Sequence, residues 1–323
     1  MSSHKNQGKG GEFARGFFTP FVLDRVMRRV LHVGPAKSPG GMANVIRLLN
    51  EHPPEGWSSD IMCTTLPGNA MRKLWMWFRS LQRIRNHHAD IVHIHCASDW
   101  SLRRKKSIAK RAKAPVVFHI HSGQFDASLK SQLARYHIVT LTPTWSERLE
   151  PLIGPSTVVP NPVDPLIKPS EEREEFVLLM GRPDPVKGHD FAFSLGLQNL
   201  VVTGVTSAPA GVRALGWVSE EKKRELLSKA KVLIVPSQFE GQPLVILEAL
   251  ASNCPVVASD TIVDLPPTVV KARHGDVEDW KKALKDTKRE DLVESVEIHQ
   301  IDNISKKWGE IYSRIISNKA STD

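Results

Sequence analysis

The 323-residue sequence is short of several things, and each shortage excludes a class. Its three cysteines, Cys63, Cys96 and Cys254, stand far apart with no metal-ligand spacing. That excludes a zinc finger or a disulfide scaffold and reads as buried thiols in a reducing compartment. No apolar run reaches the roughly 18 residues of a membrane span. Met1–Gly11 is polar and Gly/Lys-rich, without the apolar core of a secretory signal, so residues 1–27 read as a peripheral tail on a cytoplasmic protein. Pro39-Gly40-Gly41 is neither a G-x-G-x-x-G fingerprint nor a Walker loop with its lysine, which argues against nicotinamide chemistry and ATP hydrolysis.

What is present is an ordinary globular composition, 41% hydrophobic and 24% charged, which excludes wholesale disorder. The net charge of +9 is unevenly placed: residues 1–160 hold 23 Lys and Arg against 10 Asp and Glu, the remainder 21 against 25. A basic first half implies an anionic partner, a membrane surface or a nucleic acid.

Short apolar runs alternate with amphipathic helical stretches. Strands are expected at Val30–Gly34, Ser59–Cys63, Ile91–His95, Val116–Ile120, Ile138–Leu141 and Thr157–Val159, with helices between them, including Met71–Arg85, Leu102–Lys113 and Ala127–Ala134. Pro160–Pro165 and the charged run to Glu175 break the pattern. It resumes with strands at Phe176–Met180, Leu200–Thr203, Arg213–Leu215, Val232–Val235 and Val256–Ala258, and ends in a helix near Ile298–Ile316. The expected architecture is α/β, with two parallel-sheet, Rossmann-like units over 28–162 and 176–300, a linker at 163–175 and a closing helix at 301–318. Ligands of such sheets bind beyond the carboxyl ends of the strands.

Two loops at such ends carry the chemistry. In Pro236–Ala251, Gly241 permits a sharp turn, Pro243 suits the first position of a helix, and Glu240 and Glu248 present two carboxylates. Free amides at that helix start suit phosphate or sugar oxygens. In Met180–His189, Arg182 and Lys187 place two cations where a diphosphate can be held without a metal. Histidines gather at two further strand ends: alternation puts His95 and His121 nearest the cleft and leaves His93 and His119 a structural role. Spacing assembles no metal site from them.

With these residues in view, the chain resembles the retaining GT-B glycosyltransferases of family 4, group 1. Glu240 to Glu248 matches the family's E-x7-E element. Pro39–Gly41, Asp90–His95, Val116–Gly123, Val159–Asn161, Gly181–Gly188, Leu215–Val218 and Pro255–Asp260 follow in the family's order. The resemblance implies a GT-B fold and transfer of a sugar, with retention, from a nucleotide-diphosphate donor, most often a UDP-sugar. The acceptor would be a glycan or a lipid-linked glycan in cell-surface polysaccharide or glycoconjugate synthesis. It implies that Arg182 and Lys187 neutralise the diphosphate, that Glu248 binds the ribose hydroxyls, and that Glu240 with Gly241, Gln242, Pro243 and Leu244 contacts the transferred sugar. His121 resembles the cleft histidine at the reacting centre, Gly41 the backbone that approaches the phosphate, and Gly216, Trp217 and Val218 the base-binding edge. No cofactor and no metal are implied; His95 and Trp100 are the acceptor-side candidates. The sequence departs from the family at Thr261–Pro267, where a Gly-Gly-x-Pro-Glu turn is usual, so the resemblance implies no donor contact from that turn.

Leu102–Lys113 carries Arg103, Arg104, Lys105, Lys106, Lys110, Arg111 and Lys113. Met71–Arg85 sets Arg72, Lys73, Arg79, Arg83 and Arg85 beside Trp75, Trp77 and Phe78. Cations beside large aromatics suit a helix at an anionic lipid interface, hence a peripheral protein at the cytoplasmic membrane face. Two alternatives remain at this point: a nucleotide-sugar epimerase, and a nucleic-acid binder, for which no motif is present.

Overall fold

The computed structural model describes residues 27–37, 40–65, 70–123, 125 and 130–320. The N-terminal tail up to residue 26, Pro39 and the start of the helix expected at Ala127 lie outside them.

The first unit runs β1 (Arg28–Gly34), α1 (Gly41–Glu51), β2 (Trp57–Cys63), α2 (Ala70–Arg83), β3 (Ile91–Cys96), α3 (Asp99–Ala109), β4 (Val116–Ile120), α4 (Lys130–Leu133), β5 (His137–Thr140), α5 (Pro143–Ile153) and β6 (Thr157–Val158). All its strand pairs are parallel, in the order β2-β1-β3-β4-β5-β6. β3 and β4 are buried at every residue because helices cover both faces of the sheet.

The second unit runs β7 (Glu174–Met180), α6 (His189–Ser194), β8 (Leu200–Thr203), β9 (Arg213–Ala214), α7 (Glu220–Lys229), β10 (Ala230–Val235), α8 (Leu244–Ala251), β11 (Val256–Ser259), β12 (Val270–Ala272) and α9 (Val277–Lys285). Its sheet order is β12-β11-β10-β7-β8-β9 with every pair parallel, so the direction in which successive strands are added reverses between β7 and β10. That switch point leaves a crevice between the loops that follow those two strands. The short β12 was not expected from the sequence; its exposed Lys271 breaks the apolar pattern.

The closing helix, α10 (Ile301–Ala320), returns to the first unit. Ile301, Ile304, Trp308, Ile311 and Tyr312 share one cluster with Val30, Val45, Ile91, Val117 and Val139. The connector is packed rather than loose. Val163 and Ile167 are buried, and the buried Asp164 carboxylate meets Arg47 of α1 at 3.0 Å and Arg224 of α7 at 3.6 Å.

Candidate active site

Both chemistry-bearing loops of the second unit leave the switch-point strands. Gly188 has φ 71°, and a Cβ there would stand 2.5 Å from the Pro236 carbonyl oxygen. Glycine therefore lets the two loops touch. The contact brings Lys187 Nζ to 2.5 Å from Glu240 Oε1, an ion pair between one loop and the other. Asp184 accepts from the Val186 amide at 3.1 Å and pairs with Arg182 at 3.0 Å. The Arg182 side chain is two-thirds exposed (66%) and so free to turn toward an anion.

Glu248, expected on a ligand-facing edge, is 2% exposed and already partnered. Lys223 of α7 meets its Oε1 at 2.7 Å, and Asn44 of α1 donates to the same oxygen at 3.3 Å from across the cleft. Burial raises the Glu248 carboxyl above the usual range, against the pull of Lys223. Burial would lower the Lys223 ammonium, but Glu248 and Glu220 outweigh it and raise it. Sequence reasoning missed Lys223 and Asn44. Lys223 lies in the run Glu220–Lys229, which reads as a solvated helix face, and nothing in its spacing marks the inward residue.

The cleft itself is closed. A Cβ on Gly241 would stand 2.2 Å from the His121 carbonyl oxygen, so only glycine lets this turn approach the first unit. Gly41, at the start of α1, lies opposite: a Cβ there would meet Leu244 at 3.4 Å. Gln242 accepts from the Asn161 amide at 2.6 Å and its carbonyl accepts from Asn161 Nδ2 at 3.1 Å. Phe239 packs edge-on to Trp145 at 5.2 Å. A small hollow bounded by His121, Ser122, Trp145 and Gly241 leaves no room for a water molecule. Pro243 is the residue before α8 rather than its first helical position, with ψ 114°. Gly216 turns at φ 62°, with Trp217 61% exposed beside it, while Val218 packs on the second core. Trp100 is 79% exposed on the first turn of α3.

His32 on β1, His93 and His95 on β3, His119 on β4 and His121 just beyond β4 form one layer, and sequence reasoning did not single out His32. His32 Nδ1 lies 3.1 Å from His95 Nε2, and His95 Nδ1 lies 3.0 Å from His121 Nε2. A second chain links Tyr312 Oη to His93 Nδ1 at 2.6 Å and His93 Nε2 to His119 Nδ1 at 3.2 Å. His95, expected as an acceptor contact, is wholly buried, with both ring nitrogens facing other histidines. Lys105 is a correction. It is 2% exposed rather than part of the basic surface, and its Nζ donates to the His95 carbonyl. Burial, aided by the Lys105 charge, pushes the His121 imidazole down to about 3; burial alone does the same at His32. All five rings are therefore neutral at pH 7.

Ring nitrogens of His32, His93 and His95, and of His95, His119 and His121, lie within 4.8 Å of one another, a donor set that spacing alone did not reveal. The chemistry of the layer disfavours a cation. Most of these nitrogens are spent on each other, no carboxylate joins either triad among the described residues, and Lys105 adds positive charge. If Tyr312 donates to His93, then His93 donates to His119, whose proton sits on Nε2 and leaves no lone pair there. The opposite direction strands the buried Tyr312 hydroxyl proton as well, at further cost.

Comparison with known proteins gives these loops a family. Residues 40–165 match the model described as Glycosyltransferase Family 4, and residues 174–290 match that of the glycosyl transferases group 1. No curated protein matches the sequence. Among solved structures, sucrose-phosphate synthase from Thermosynechococcus elongatus superposes with a TM-score of 0.73 at 16% identity, over 90% of this chain and 100% of that one. WaaG, a glycosyltransferase involved in lipopolysaccharide biosynthesis, gives 0.60 at 14% identity over 88% and 99%. The lipopolysaccharide outer core galactosyltransferase WaaB gives 0.56 at 16% identity over 88% and 99%. At these identities the structures speak for the fold, which is GT-B, and the two family models for the chemistry: the chain belongs to the family 4, group 1 glycosyltransferases and is a transferase.

Proposed function

We propose that the protein transfers a sugar, with retention and without a metal, from a nucleoside-diphosphate sugar to a glycan or lipid-linked acceptor. A UDP-sugar is the first donor to try. The observation that carries this reading is the grouping of Arg182, Lys187, Glu240 and Glu248 around the β7–β10 switch point. As the glycosidic bond to the donor breaks, negative charge grows on the diphosphate, and Arg182 with Lys187 supplies fixed positive charge there. Lys187 is held in place by Glu240 until a ligand arrives. Glu248 accepts the ribose hydroxyls in place of Asn44, while the Gly241–Leu244 backbone and His121 hold the transferred sugar. Trp217 offers an exposed ring to the base. With Gly241 packed on the His121 carbonyl and no room for a water in the hollow beside it, the units separate to admit a sugar nucleotide. The test is incubation with nucleotide sugars and candidate acceptors, reading nucleoside diphosphate release and the anomeric configuration of the product by NMR. Retained configuration, unchanged by EDTA, is expected. An inverted product or loss of turnover on chelation contradicts the proposal.

The proposed site of action is the cytoplasmic membrane face. Among the described residues no helix is long and apolar enough to cross a membrane. On α2, Met71, Leu74, Trp75 and Phe78 recur at the spacing of one helical face and are each more than half exposed. Met76, Ser80 and Leu81 point inward, and Trp77 packs against the core rather than facing out. Arg72, Arg79 and Arg83 border the exposed stripe, as suits an amphipathic helix lying on anionic lipid. Co-sedimentation with phosphatidylglycerol vesicles at low salt, lost in Trp75→Ser/Phe78→Ser, is the expected result; no binding by the unaltered chain contradicts it.

A further inference from the structure

We propose that His95 and His32 are positioning residues that set which ring nitrogen of His121 carries its proton. The inference rests on the transferase reading only for what His121 touches.

Each of the three rings is neutral and so carries one N–H and one lone pair. Two ring-to-ring contacts, at 3.1 Å and 3.0 Å, each need one proton between the facing nitrogens. Suppose the His95 proton is on Nδ1. It donates to His121 Nε2, which forces the His121 proton onto Nδ1, and His95 Nε2 accepts from His32 Nδ1. Suppose instead it is on Nε2. It then donates to His32 Nδ1, the His32 proton sits on Nε2, and His121 donates Nε2–H to His95 Nδ1. Every mixed arrangement faces two lone pairs or two protons at hydrogen-bond distance in a buried layer, where an unmet polar group is costly.

The three rings therefore share one tautomer and change it together. His121 Nδ1, which has no hydrogen-bond partner among the described residues, is a donor in the first state and an acceptor in the second. A substrate hydroxyl or carbonyl that selects one state at His121 resets His95 and His32 with it. His32 lies on β1, two rings from the cleft and 1% exposed, so it acts on His121 only through His95. The Tyr312–His93–His119 chain shares no hydrogen bond with this one among the described residues.

The experiment is nitrogen NMR on the full chain labelled with ¹⁵N-histidine, in which protonated and bare ring nitrogens are well separated. Single histidine substitutions assign the signals. The expected result is the same protonated nitrogen, Nδ1 or Nε2, at His32, His95 and His121. His32→Leu removes the end partner and should move the His121 ring signals. His32→Asn places an amide near the position of Nδ1, able to donate or accept by flipping, and should restore them. Turnover of whichever nucleotide sugar the protein uses should fall about tenfold or more in His32→Leu, as roughly one buried polar partner is lost, and recover in His32→Asn. A mixed set of tautomers in the unaltered chain overturns the proposal, as do His121 signals unchanged by His32→Leu. So does stoichiometric Co²⁺ uptake with tetrahedral absorption that His95→Asn abolishes. The nitrogen signals need no sugar, so a failure of the transferase reading would leave them untouched.

Discussion

The carboxylate of Asp264 accepts two hydrogen bonds from Thr144, one from its backbone amide at 3.0 Å and one from its hydroxyl at 2.8 Å. Asp264 belongs to the second unit and Thr144 to the first turn of α5, so the pair ties the units together at a helix N-terminus. Asp264 sits at φ 51°, and its neighbour Val263 packs against the core of the first unit. This is the Thr261–Pro267 turn that departs from the family pattern. Its side chain is committed to closing the cleft.

We predict that Asp264→Ala lowers stability by about 1 kcal/mol, the usual worth of a helix-capping side chain. Urea denaturation measures this, and X-ray scattering in solution should show a larger radius of gyration. An unchanged midpoint and radius would remove the tie from the account.

Lys223 and Glu248 give a second prediction. Removing one partner of a buried pair strands the other, at about 3 kcal/mol or more. Lys223→Met should therefore destabilise strongly, because Glu248, 2% exposed, keeps only Asn44 as a side-chain partner among the described residues. Lys223→Met/Glu248→Leu should recover part of the loss. Equal midpoints for the single and double variants would show that the pair contributes little.

The histidine layer predicts a steep acid limit. Its five imidazoles titrate below their ordinary value in the folded chain, chiefly through burial, and near 6.5 once unfolded. Their contribution is fully present above pH 6.5 and is lost as pH falls, because the unfolded chain takes protons the folded chain refuses. Each contributes up to about 1.4 kcal/mol per pH unit, so five can exhaust an ordinary stability of roughly 5–15 kcal/mol within two units. Circular dichroism against pH should show unfolding between pH 6.5 and 4.5. A fold intact at pH 4 would contradict buried neutral rings.

Much of this was legible in the sequence because parallel strands buried on both faces are written as continuous apolar runs. Val30–Gly34, Ile91–His95 and Val232–Val235 each lie within a strand of the sheets. The loops with Arg182, Lys187 and Glu240 were legible because glycine and proline mark where backbone leaves a strand. What was not legible is what depends on inward aim across sequence distance. Lys105 and Lys223 sit in charged helical runs, yet each turns one ammonium into the protein. His32 joins His95 only because β1 and β3 are neighbours, a pairing that no spacing encodes.

The measurement closest to the central claim is calorimetric binding of UDP, GDP and ADP and their sugar conjugates to the unaltered chain, Arg182→Ala and Glu248→Ala. The account predicts selective binding of one nucleotide, weakened at least about tenfold in each variant, as expected when a charged hydrogen-bond partner worth roughly 1.5–3 kcal/mol is removed. A folded chain that binds none of them, or binds equally well without Arg182 and Glu248, would contradict a donor site at the β7–β10 crevice.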